Sequence, residues 1–458
     1  MRVLVISTNR ESLPDPVAPL GAAYVATAAR KAGHDVRMLD LQFVVDAPMA
    51  LKDAWRTFRP QVVALSIRNI DNVAFPHSVS YLPEYVSAVK VLKALGAKFI
   101  IVGGSGFTLM PAEIMNVLDV SLGIVGEGEE AFPELLRRIK DGLPINSLPG
   151  LAYRYGGEVR VNPPRKIANL DKAVVPDRGF IENPLYMSEG GCGNLQTKRG
   201  CAFACAYCTY PLVEGRKVRL RSPGLSAQEF ESASREHGLK HIFIVDNVFN
   251  HPIEHAKEFC REIIKRRVET GWSCYLNPSF VDAELVDLMA RAGCKGVEFG
   301  TDSAVDEVLA SLKKGFREQD IREASRLCRE AGLPFCHSLL LGSPGETAET
   351  VVRTLGTMDE VRPNAVIAML GIRVFPETEI LKRGLAEGVI KEPRIGLRPV
   401  FYFSPALDMG AVSEHLKRYG QAHSNFIMPG IHLRMTDKIR TRLRAYGFLG
   451  PLWEYLRG

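Results

Sequence analysis

Three cysteines within eight residues constrain this chain more than any other feature of its sequence. Cys201, Cys205 and Cys208 have the spacing CxxxCxxC. Three thiolates on one loop leave one iron of a [4Fe-4S] cubane without a protein ligand, so a substrate or cofactor can occupy that position. The alternatives are three buried structural cysteines or a zinc site, but zinc needs a fourth ligand, and Cys260 and Cys274 are remote in sequence. The spacing therefore predicts an iron-sulfur cluster.

The composition places this motif in a large globular protein. The chain has 458 residues, too many for one compact core, so we expect two or three domains. No secretion signal and no run of about 18 apolar residues is evident, so the nine cysteines are expected to be thiols or metal ligands. The net charge of +6 is spread along the chain, unlike the basic face of a nucleic-acid-binding protein. We expect a cytoplasmic protein that does not bind nucleic acid.

From residue 1 to about residue 143, short β-branched runs alternate with helical patterns. Such alternation is typical of βαβ units in a parallel, doubly wound sheet. The sequence therefore predicts an α/β, Rossmann-like domain over residues 1–143. Its predicted strands are 3–7, 34–39, 62–67, 98–102 and 120–124.

The alternation stops over residues 144–190, which are rich in Pro, Gly and Asn and are predicted to be a linker with one weak hairpin pattern. Six further strand candidates follow, and all but the last precede a helical stretch. This pattern predicts a partial (β/α)6 TIM-type barrel over residues 191–375, with its active site at the carboxyl ends of the strands. Residues 376–458 form a predicted helical C-terminal region. The predicted barrel strands are 195–199, 241–245, 272–276, 296–300, 336–341 and 365–370.

The cysteine motif, with Tyr207 before its third cysteine and six βα units around it, resembles the radical S-adenosylmethionine (SAM) superfamily. The resemblance implies that Cys201, Cys205 and Cys208 hold a [4Fe-4S] cluster whose open iron is chelated by SAM. One-electron reduction, by a partner such as flavodoxin or ferredoxin, then cleaves SAM to methionine and a 5′-deoxyadenosyl radical. That radical abstracts hydrogen from the substrate.

Residues at later strand ends match positions that contact SAM in this superfamily. The segment 341–347 resembles its LPGET loop, with Ser343 as a departure. Arg373 is a candidate to pair a carboxylate through two hydrogen bonds, although an ordinary surface salt bridge is an alternative. The other residues are alternatively polar caps of strand ends. The predicted SAM-binding residues are Tyr207, Asp246, Asn247, Gly300, Asp302, Ser303, Gly342 and Arg373.

Ligands of a parallel α/β domain bind beyond the carboxyl ends of its strands. Here glycines and small polar residues follow three of the predicted strands, and the first turn has no GxGxxG signature. With the helix start Pro19-Leu20-Gly21, this arrangement resembles the cobalamin-binding domain that precedes the barrel in the class B radical SAM methylases and anaerobic tetrapyrrole cyclases. The alternative is a domain that keeps the fold without the cofactor. The predicted cobalamin-binding residues are Leu20, Gly21, Ser66, Arg68, Asn69, Gly103, Gly104, Ser105, Gly126, Glu127 and Gly128.

One departure from other corrinoid proteins concerns the first loop. Residues 8–19 contain no histidine, so the DxHxxG motif that supplies a cobalt ligand is missing. The resemblance therefore implies cobalamin whose lower face receives no histidine from this loop.

The resemblance implies a cobalamin-dependent methyltransferase that acts on an unactivated carbon through a 5′-deoxyadenosyl radical and methylcobalamin. Two alternatives remain. One is a radical SAM cyclase, oxidase or rearrangement enzyme with a non-methylating or absent cobalamin, and the other is a non-catalytic corrinoid or iron-sulfur carrier. The substrate is expected to be a small molecule, with lipid-like compounds and natural-product intermediates as candidate classes.

Residues 434–458 combine basic and aromatic side chains. Such a segment can make peripheral contact with an anionic membrane surface. It can also form a helix with one packed and one solvated face, which is the alternative we favour. The basic residues concerned are Arg434, Lys438, Arg440, Arg442, Arg444 and Arg457.

Overall fold

A computed structural model describes residues 1–428 and 437–455 of the chain. Its first sheet has seven strands: β1 (Arg2–Ser7), β2 (Asp35–Asp40), β3 (Val62–Ser66), β4 (Ile100–Gly103), β5 (Leu122–Ile124), β6 (Leu151–Tyr155) and β7 (Glu158–Val161). They lie in the order β2-β1-β3-β4-β5-β6-β7, in which β1–β5 are parallel. The strand order reverses beside β1, and this reversal is the topological switch point of a doubly wound sheet. The predicted fold class of this half is confirmed.

Helices cover both faces of the first sheet. Val3 and Val5 of β1 pack in one core, whereas Leu4 and Ile6 pack in the core on the opposite face. A strand buried on both faces needs a continuous apolar run, which explains the sequence Val-Leu-Val-Ile at this point. The helices are α1 (Leu20–Lys31), α2 (Ala47–Phe58), α3 (Leu82–Ala94), α4 (Ser105–Leu109), α5 (Pro111–Leu118) and α6 (Gly128–Asp141).

Part of the segment that we predicted as a linker, residues 144–190, belongs to the first sheet. β6 and β7 form an antiparallel hairpin on its edge, so the sheet continues to Val161 rather than ending before residue 143. Gly156 and Gly157 make the turn with φ of 61° and 86°, a conformation that favours glycine. β7 is largely exposed and lacks the apolar alternation that marks a strand in sequence. The short helix α7 (Asn183–Leu185) and one turn of π-helix over Tyr186–Gly190 complete the segment.

The second half contains a seven-stranded sheet and two short ribbons. The strands in chain order are β8 (Gly193–Leu195), β9 (Lys198–Arg199), β10 (Arg219–Leu220), β11 (His241–Ile244), β12 (Gly271–Leu276), β13 (Cys294–Asp302), β14 (Phe335–Leu341), β15 (Ala365–Leu370), β16 (Ile372–Arg373), β17 (Phe401–Tyr402) and β18 (Phe426–Ile427). The order β18-β15-β14-β13-β12-β11-β8 is parallel throughout, and β9 pairs antiparallel with β10, as β16 does with β17.

This parallel sheet confirms the predicted TIM-type partial barrel, with two differences in detail. The first predicted barrel strand, residues 195–199, is divided, because β8 ends at Leu195 and β9 turns away to pair with β10. The two-residue strand β18 adds a seventh member from the C-terminal region, and it is too short to recognise in sequence. The helices of this half are α8 (Tyr210–Val213), α9 (Pro223–Arg235), α10 (Ile253–Arg266), α11 (Ala283–Arg291), α12 (Asp306–Ser311), α13 (Glu318–Glu330), α14 (Ala348–Val361), α15 (Glu379–Ala386), α16 (Met409–Ala422) and α17 (Asp437–Ala445).

The last described residues pack beneath the barrel, at the amino ends of its strands. Trp453 is buried and contacts Cys336 and Ala365, which lie at the starts of β14 and β15. Arg444 of α17 is buried as well, and it pairs with Asp15 of the first domain at 2.6 Å. These side chains face protein, in agreement with the packed-helix alternative for the tail.

Two of the tail's basic residues, Arg434 and Arg457, lie outside the described residues. Within residues 1–428 and 437–455, no helix combines the length and the apolar character needed to cross a membrane.

Candidate active site

The cysteine motif forms the loop that follows β9, at the carboxyl end of the barrel sheet. Gly200 begins the loop with φ of 92°, and a Cβ there would lie 2.2 Å from the carbonyl oxygen of Lys217. Only glycine fits this position without a backbone shift. Within the loop, the backbone N–H of Cys208 donates to the carbonyl oxygen of Cys205 at 3.1 Å. This turn keeps Cys201, Cys205 and Cys208 on one loop as free thiols.

Burial raises the pKa of all three thiols, that of Cys208 to about 12. The Cys201 and Cys205 thiolates add to this effect at Cys208. The three groups are therefore neutral thiols in the absence of a metal, and bound iron would stabilise their thiolate forms because metal ions deprotonate the thiols that coordinate them. No three His, Cys, Asp or Glu side chains in the described part of the chain converge on one metal ion. Zinc takes four ligands, and residues 201–208 offer three thiols without a His, Asp or Glu, which fits a cluster with one open iron better than a zinc ion.

A buried ion pair lies beside the cysteine loop. Asp302, at the end of β13, accepts a hydrogen bond from the Tyr207 hydroxyl and pairs with the Lys314 ammonium, both at 2.6 Å. Burial alone would lower the pKa of Lys314, but Asp302 and the neighbouring thiols raise it. Lys314 is therefore a fixed positive charge near the cysteines. Lys314 could not be predicted from the sequence, because it lies in an irregular loop after α12 and belongs to no motif.

Two residues predicted to contact SAM are engaged within the barrel framework instead. Asp246 is fully buried and accepts hydrogen bonds from the backbone N–H groups of Thr197 and Lys198 at 2.7 and 3.1 Å. Ser303 is fully buried, and its hydroxyl lies 3.1 Å from that of Thr354. Both side chains turn away from the strand ends because the backbone groups and helices around them offer hydrogen-bond partners.

Asn247 and Arg373 also have protein partners. The amide of Asn247 donates to the Glu214 carboxylate at 2.7 Å. The Arg373 guanidinium donates to Asp71 of the first domain at 2.9 and 3.0 Å, and both side chains are buried. Arg373 does pair with a carboxylate as predicted, but that carboxylate belongs to the protein. In the structure Arg373 therefore links the two domains, and its contact with SAM stays a prediction.

Gly300 keeps one strand end open, whereas Gly342 is buried in a tight turn. A Cβ on Gly300 would meet nothing closer than the Lys314 ammonium at 4.0 Å. Gly342 has φ of 97°, and its N–H and that of Ser343 both donate to the buried Glu346 carboxylate. Burial raises the pKa of Glu346 to about 7. The loop after β14 is thus built around this carboxyl group.

The carboxyl ends of the parallel strands in the first sheet open onto a cavity of about 590 Å³. All eleven residues predicted to bind cobalamin line this cavity. Gly104 has φ of 102°, and a Cβ there would lie 2.4 Å from the Ile67 carbonyl oxygen. A Cβ on Gly21, by contrast, would meet no atom within 4 Å. The glycines therefore expose backbone on which a broad ligand can lie.

The barrel forms the opposite wall of this cavity. Thr209 and Tyr210, which follow Cys208 directly, line it together with Val245 and Phe375. The side chain of Tyr210 is 52% exposed. The cavity therefore extends from the first domain to the edge of the cysteine loop.

Buried ion pairs hold the two walls together. Glu127 pairs with Arg219 at 2.9 Å and with Arg199 at 3.7 Å, and Arg199 also pairs with Glu129 at 2.6 Å. Burial alone would raise the pKa of Glu127, but the two arginines lower it. Glu127 thus lines the cavity as predicted, while its carboxylate is committed to the arginines of the barrel.

A ring of side chains, which we name the lumen layer, faces the interior of the barrel. It comprises Phe243, Tyr275, Glu298, Ser338 and Ile367, one from each of five neighbouring strands. Each is more exposed than the residues on either side of it, as expected where alternate residues face opposite sides of a sheet. Tyr275 is 40% exposed although it lies on a central strand. The lumen layer was not predicted from the sequence. The signal that could have indicated it is the alternation of inward-facing and outward-facing residues within each barrel strand.

Two family models match the chain. One, the Radical SAM superfamily, matches residues 195–358, and the other, the B12 binding domain, matches residues 6–136. The first match begins at the last residue of β8, and the second contains all eleven residues predicted to bind cobalamin. These segments contain the cysteine loop and the strands that carry it.

The chain is similar to known proteins along most of its length. It is 28% identical over 447 residues to the tryptophan 2-C-methyltransferase of Streptomyces laurentii, across 83% of this chain and 74% of that protein. It also resembles the radical SAM methyltransferase TsrM of Kitasatospora setae, solved with cobalamin and a [4Fe-4S] cluster bound, with TM-score 0.88 and 26% identity over 100% of this chain and 97% of that one. A second structure of that enzyme contains tryptophan and a SAM analog, again with TM-score 0.88 and 26% identity, over 100% of this chain and 98% of that one.

Proposed function

Because the chain belongs to the radical SAM superfamily and carries a B12-binding domain ahead of its barrel, we propose that it is a cobalamin-dependent radical SAM methyltransferase acting on a small molecule. One observation carries the proposal: the glycine-lined cavity and the cysteine loop meet at Thr209 and Tyr210. When bound, the cluster with SAM supplies one-electron chemistry, and cobalamin supplies a methyl carrier. The relatives named as methyltransferases support this function over that of a carrier protein.

We propose that Cys201, Cys205 and Cys208 hold the cluster and leave one iron open to SAM. The supporting observation is that the three thiols lie on one loop, and their raised pKa values mean that a bound metal group would have to stabilise their thiolate forms. Lys314 would offset part of the thiolate charge, and its ion pair with Asp302 would hold Tyr207 against the loop. Gly300 would leave backbone accessible to SAM at the end of β13.

We further propose that the eleven predicted residues of the first domain hold cobalamin. Backbone exposed at Gly21 and at the glycines after β4 and β5 would support a flat ring, and the barrel wall would cover it. No histidine occurs in residues 8–19, so that loop would give the cobalt no imidazole ligand. The substrate would lie in the barrel interior, between the lumen layer and this cavity, where protein on all sides limits the access of water.

The electron source and the location of the protein belong to the same proposal. Radical SAM chemistry needs a one-electron donor, for which we propose a flavodoxin or ferredoxin. All nine cysteines are free thiols, which suits the reducing conditions of the cytoplasm.

Methyl transfer can be tested with anaerobically reconstituted protein and methyl-labelled SAM. The loaded protein should contain about four iron atoms and one cobalt atom per chain. We expect label to appear in a small-molecule acceptor when tryptophan, tryptamine and related compounds are supplied with a reductant. Cleavage of SAM to 5′-deoxyadenosine with no label in any acceptor would favour a cyclase, oxidase or rearrangement enzyme. Neither SAM cleavage nor label transfer by the fully loaded protein would favour a carrier.

A further inference from the structure

Glu298 is the charged member of the lumen layer, and its carboxylate has no cationic partner among the described residues. Its one hydrogen bond comes from the indole N–H of Trp453 at 2.8 Å. Burial raises its pKa to about 7, and the bond from Trp453 opposes that rise only in part. A buried carboxylate without a counter-charge is unfavourable, because it has lost water without gaining a cation. The side chain is nevertheless half-buried rather than sealed, so a ligand in the barrel can reach it.

Aromatic rings surround the same position. Tyr275 is paired with Glu298 in the register of β12 and β13, and its ring lies 4.9 Å from that of Phe243, centroid to centroid. The Glu298 carboxylate raises the pKa of Tyr275, as expected if the two groups share one low-dielectric space. Aromatic faces next to a carboxylate offer both stacking and charge complementarity to a ring that carries a cation.

The residues nearer the barrel mouth leave room for such a ligand. Gly300 lies two residues after Glu298 on the same strand, and it is paired with Ser338 of β14. Both are small and both are partly exposed. Space therefore continues from Glu298 toward the carboxyl ends of the strands, where the cysteine loop begins.

We propose that Glu298 binds the protonated nitrogen of an aromatic amine whose ring lies against Phe243 and Tyr275. This assignment rests on the proposed function, because it names the substrate class of the same site. A lipid-like substrate, one of the classes that the sequence left open, would instead bury Glu298 without a partner. The indole of Trp453 would hold the carboxylate from below and leave its second oxygen to the substrate.

Three ligands that share the indole ring and a two-carbon chain at its 3-position differ in charge. Tryptamine is cationic, 3-ethylindole is neutral and indole-3-propionate is anionic, and their binding to the reconstituted holoprotein can be measured anaerobically by calorimetry without turnover. We expect tryptamine to bind about tenfold more tightly than 3-ethylindole, since a hydrogen bond to a charged group is worth at least that factor. Indole-3-propionate should bind more weakly than both.

Substitution of the Glu298 carboxylate provides a second test of the proposal. Glu298→Gln should lower the affinity for tryptamine about tenfold and leave that for 3-ethylindole unchanged. Glu454→Gln makes the same chemical change in a carboxyl group that already accepts a hydrogen bond from Ser273 below the layer, and it should preserve the preference for the amine. Iron and cobalt content would be compared in all three proteins.

Three outcomes would overturn the proposal. They are equal or tighter binding of indole-3-propionate than of tryptamine, unchanged tryptamine binding by Glu298→Gln, and no measurable binding of any of the three ligands. The ligand series on the unaltered protein remains decisive even if Glu298→Gln loses its cofactors. Because binding is measured without turnover, a negative result would leave label transfer from SAM as a separate test of the proposed function.

Discussion

Glu346 is a single carboxyl group around which a whole loop is arranged. Two backbone N–H groups donate to it, and it is fully buried, yet no arginine or lysine in the described part of the chain pairs with it. Burial therefore outweighs the hydrogen bonds and raises its pKa from 4.5 to about 7. Such a group binds its proton more tightly in the folded state than in the unfolded state. The contribution of Glu346 to the free energy of unfolding is therefore complete below a pH of about 4.5 and is lost as the pH rises through about 7.

Glu346→Gln should remove this pH dependence, because glutamine keeps an oxygen for both N–H donors and does not ionise. The stability of the unaltered protein relative to the variant should fall by up to about 3 kcal/mol between pH 5 and pH 8. Thermal unfolding of both proteins across this range measures the difference. Asp287→Asn, on an exposed helical carboxylate, is the matched control and should show little change. Parallel pH profiles for Glu346→Gln and the unaltered protein would contradict the expectation.

The cysteine loop depends, as an element, on the residue that starts it. Gly200→Ala would place a Cβ 2.2 Å from the Lys217 carbonyl oxygen at a φ of 92°, so the loop must shift. We expect the variant to lose most of its iron after reconstitution and to cleave SAM much more slowly.

Gly356→Ala is the matched control for the loop. A Cβ on Gly356, within α14, would meet no atom within 4 Å, and alanine favours the helix by about 1 kcal/mol. This variant should keep its iron and unfold at the same or a higher temperature. Full iron content in Gly200→Ala, measured beside it, would show that the loop tolerates the change.

The elements that could be predicted from sequence are those buried on both faces. β1 and β3 contain continuous apolar runs, and their predicted bounds agree with the structure to within one residue. The sequence signal of β7 is weak because its residues are mostly exposed. The signal of β18 is weak because the strand has only two residues. Periodicity reports burial, so an exposed or very short strand gives little signal.

Strand-end positions were predictable, but the directions of their side chains were not. Asp302 and Asp246 both end barrel strands, yet Asp302 meets Tyr207 beside the cysteines whereas Asp246 turns to backbone N–H groups. The hydrogen-bond partner that each carboxylate finds depends on residues far away in sequence. Lys314 illustrates the same limit, because only folding brings its charge to the cysteine loop.

At the scale of the whole molecule, a few buried ion pairs join the two halves. Arg373 of the barrel and Asp71 of the first domain are both buried, and Asp71 also lines the large cavity. Removing one partner of a buried pair leaves an uncompensated charge, which costs about 3–5 kcal/mol. This contact therefore couples the stability of the interface to the shape of the cavity.

Arg373→Leu should lower the unfolding temperature and weaken cobalamin binding, and the double variant Arg373→Leu with Asp71→Leu should recover much of the stability. Thermal unfolding and cobalamin titration measure the two effects. Arg291→Leu removes an exposed arginine whose pair with Asp287 is worth less than about 1 kcal/mol, so it should change neither quantity appreciably. A drop in stability for Arg373→Leu no larger than that for Arg291→Leu would contradict the expectation.

The packing of Trp453 beneath the barrel affects the side from which ligands can enter it. Trp453 donates a hydrogen bond to Glu298, and Glu454 accepts one from Ser273. These contacts close the barrel interior on the side where the strands begin. In the part of the chain that the structure describes, the cavity between the domains is then the route that the substrate, SAM and their products would share. Ligands that share one route cannot exchange independently, so the ligand that binds deepest must bind first and dissociate last. The enzyme should accordingly show a compulsory order of binding, with the small molecule ahead of SAM.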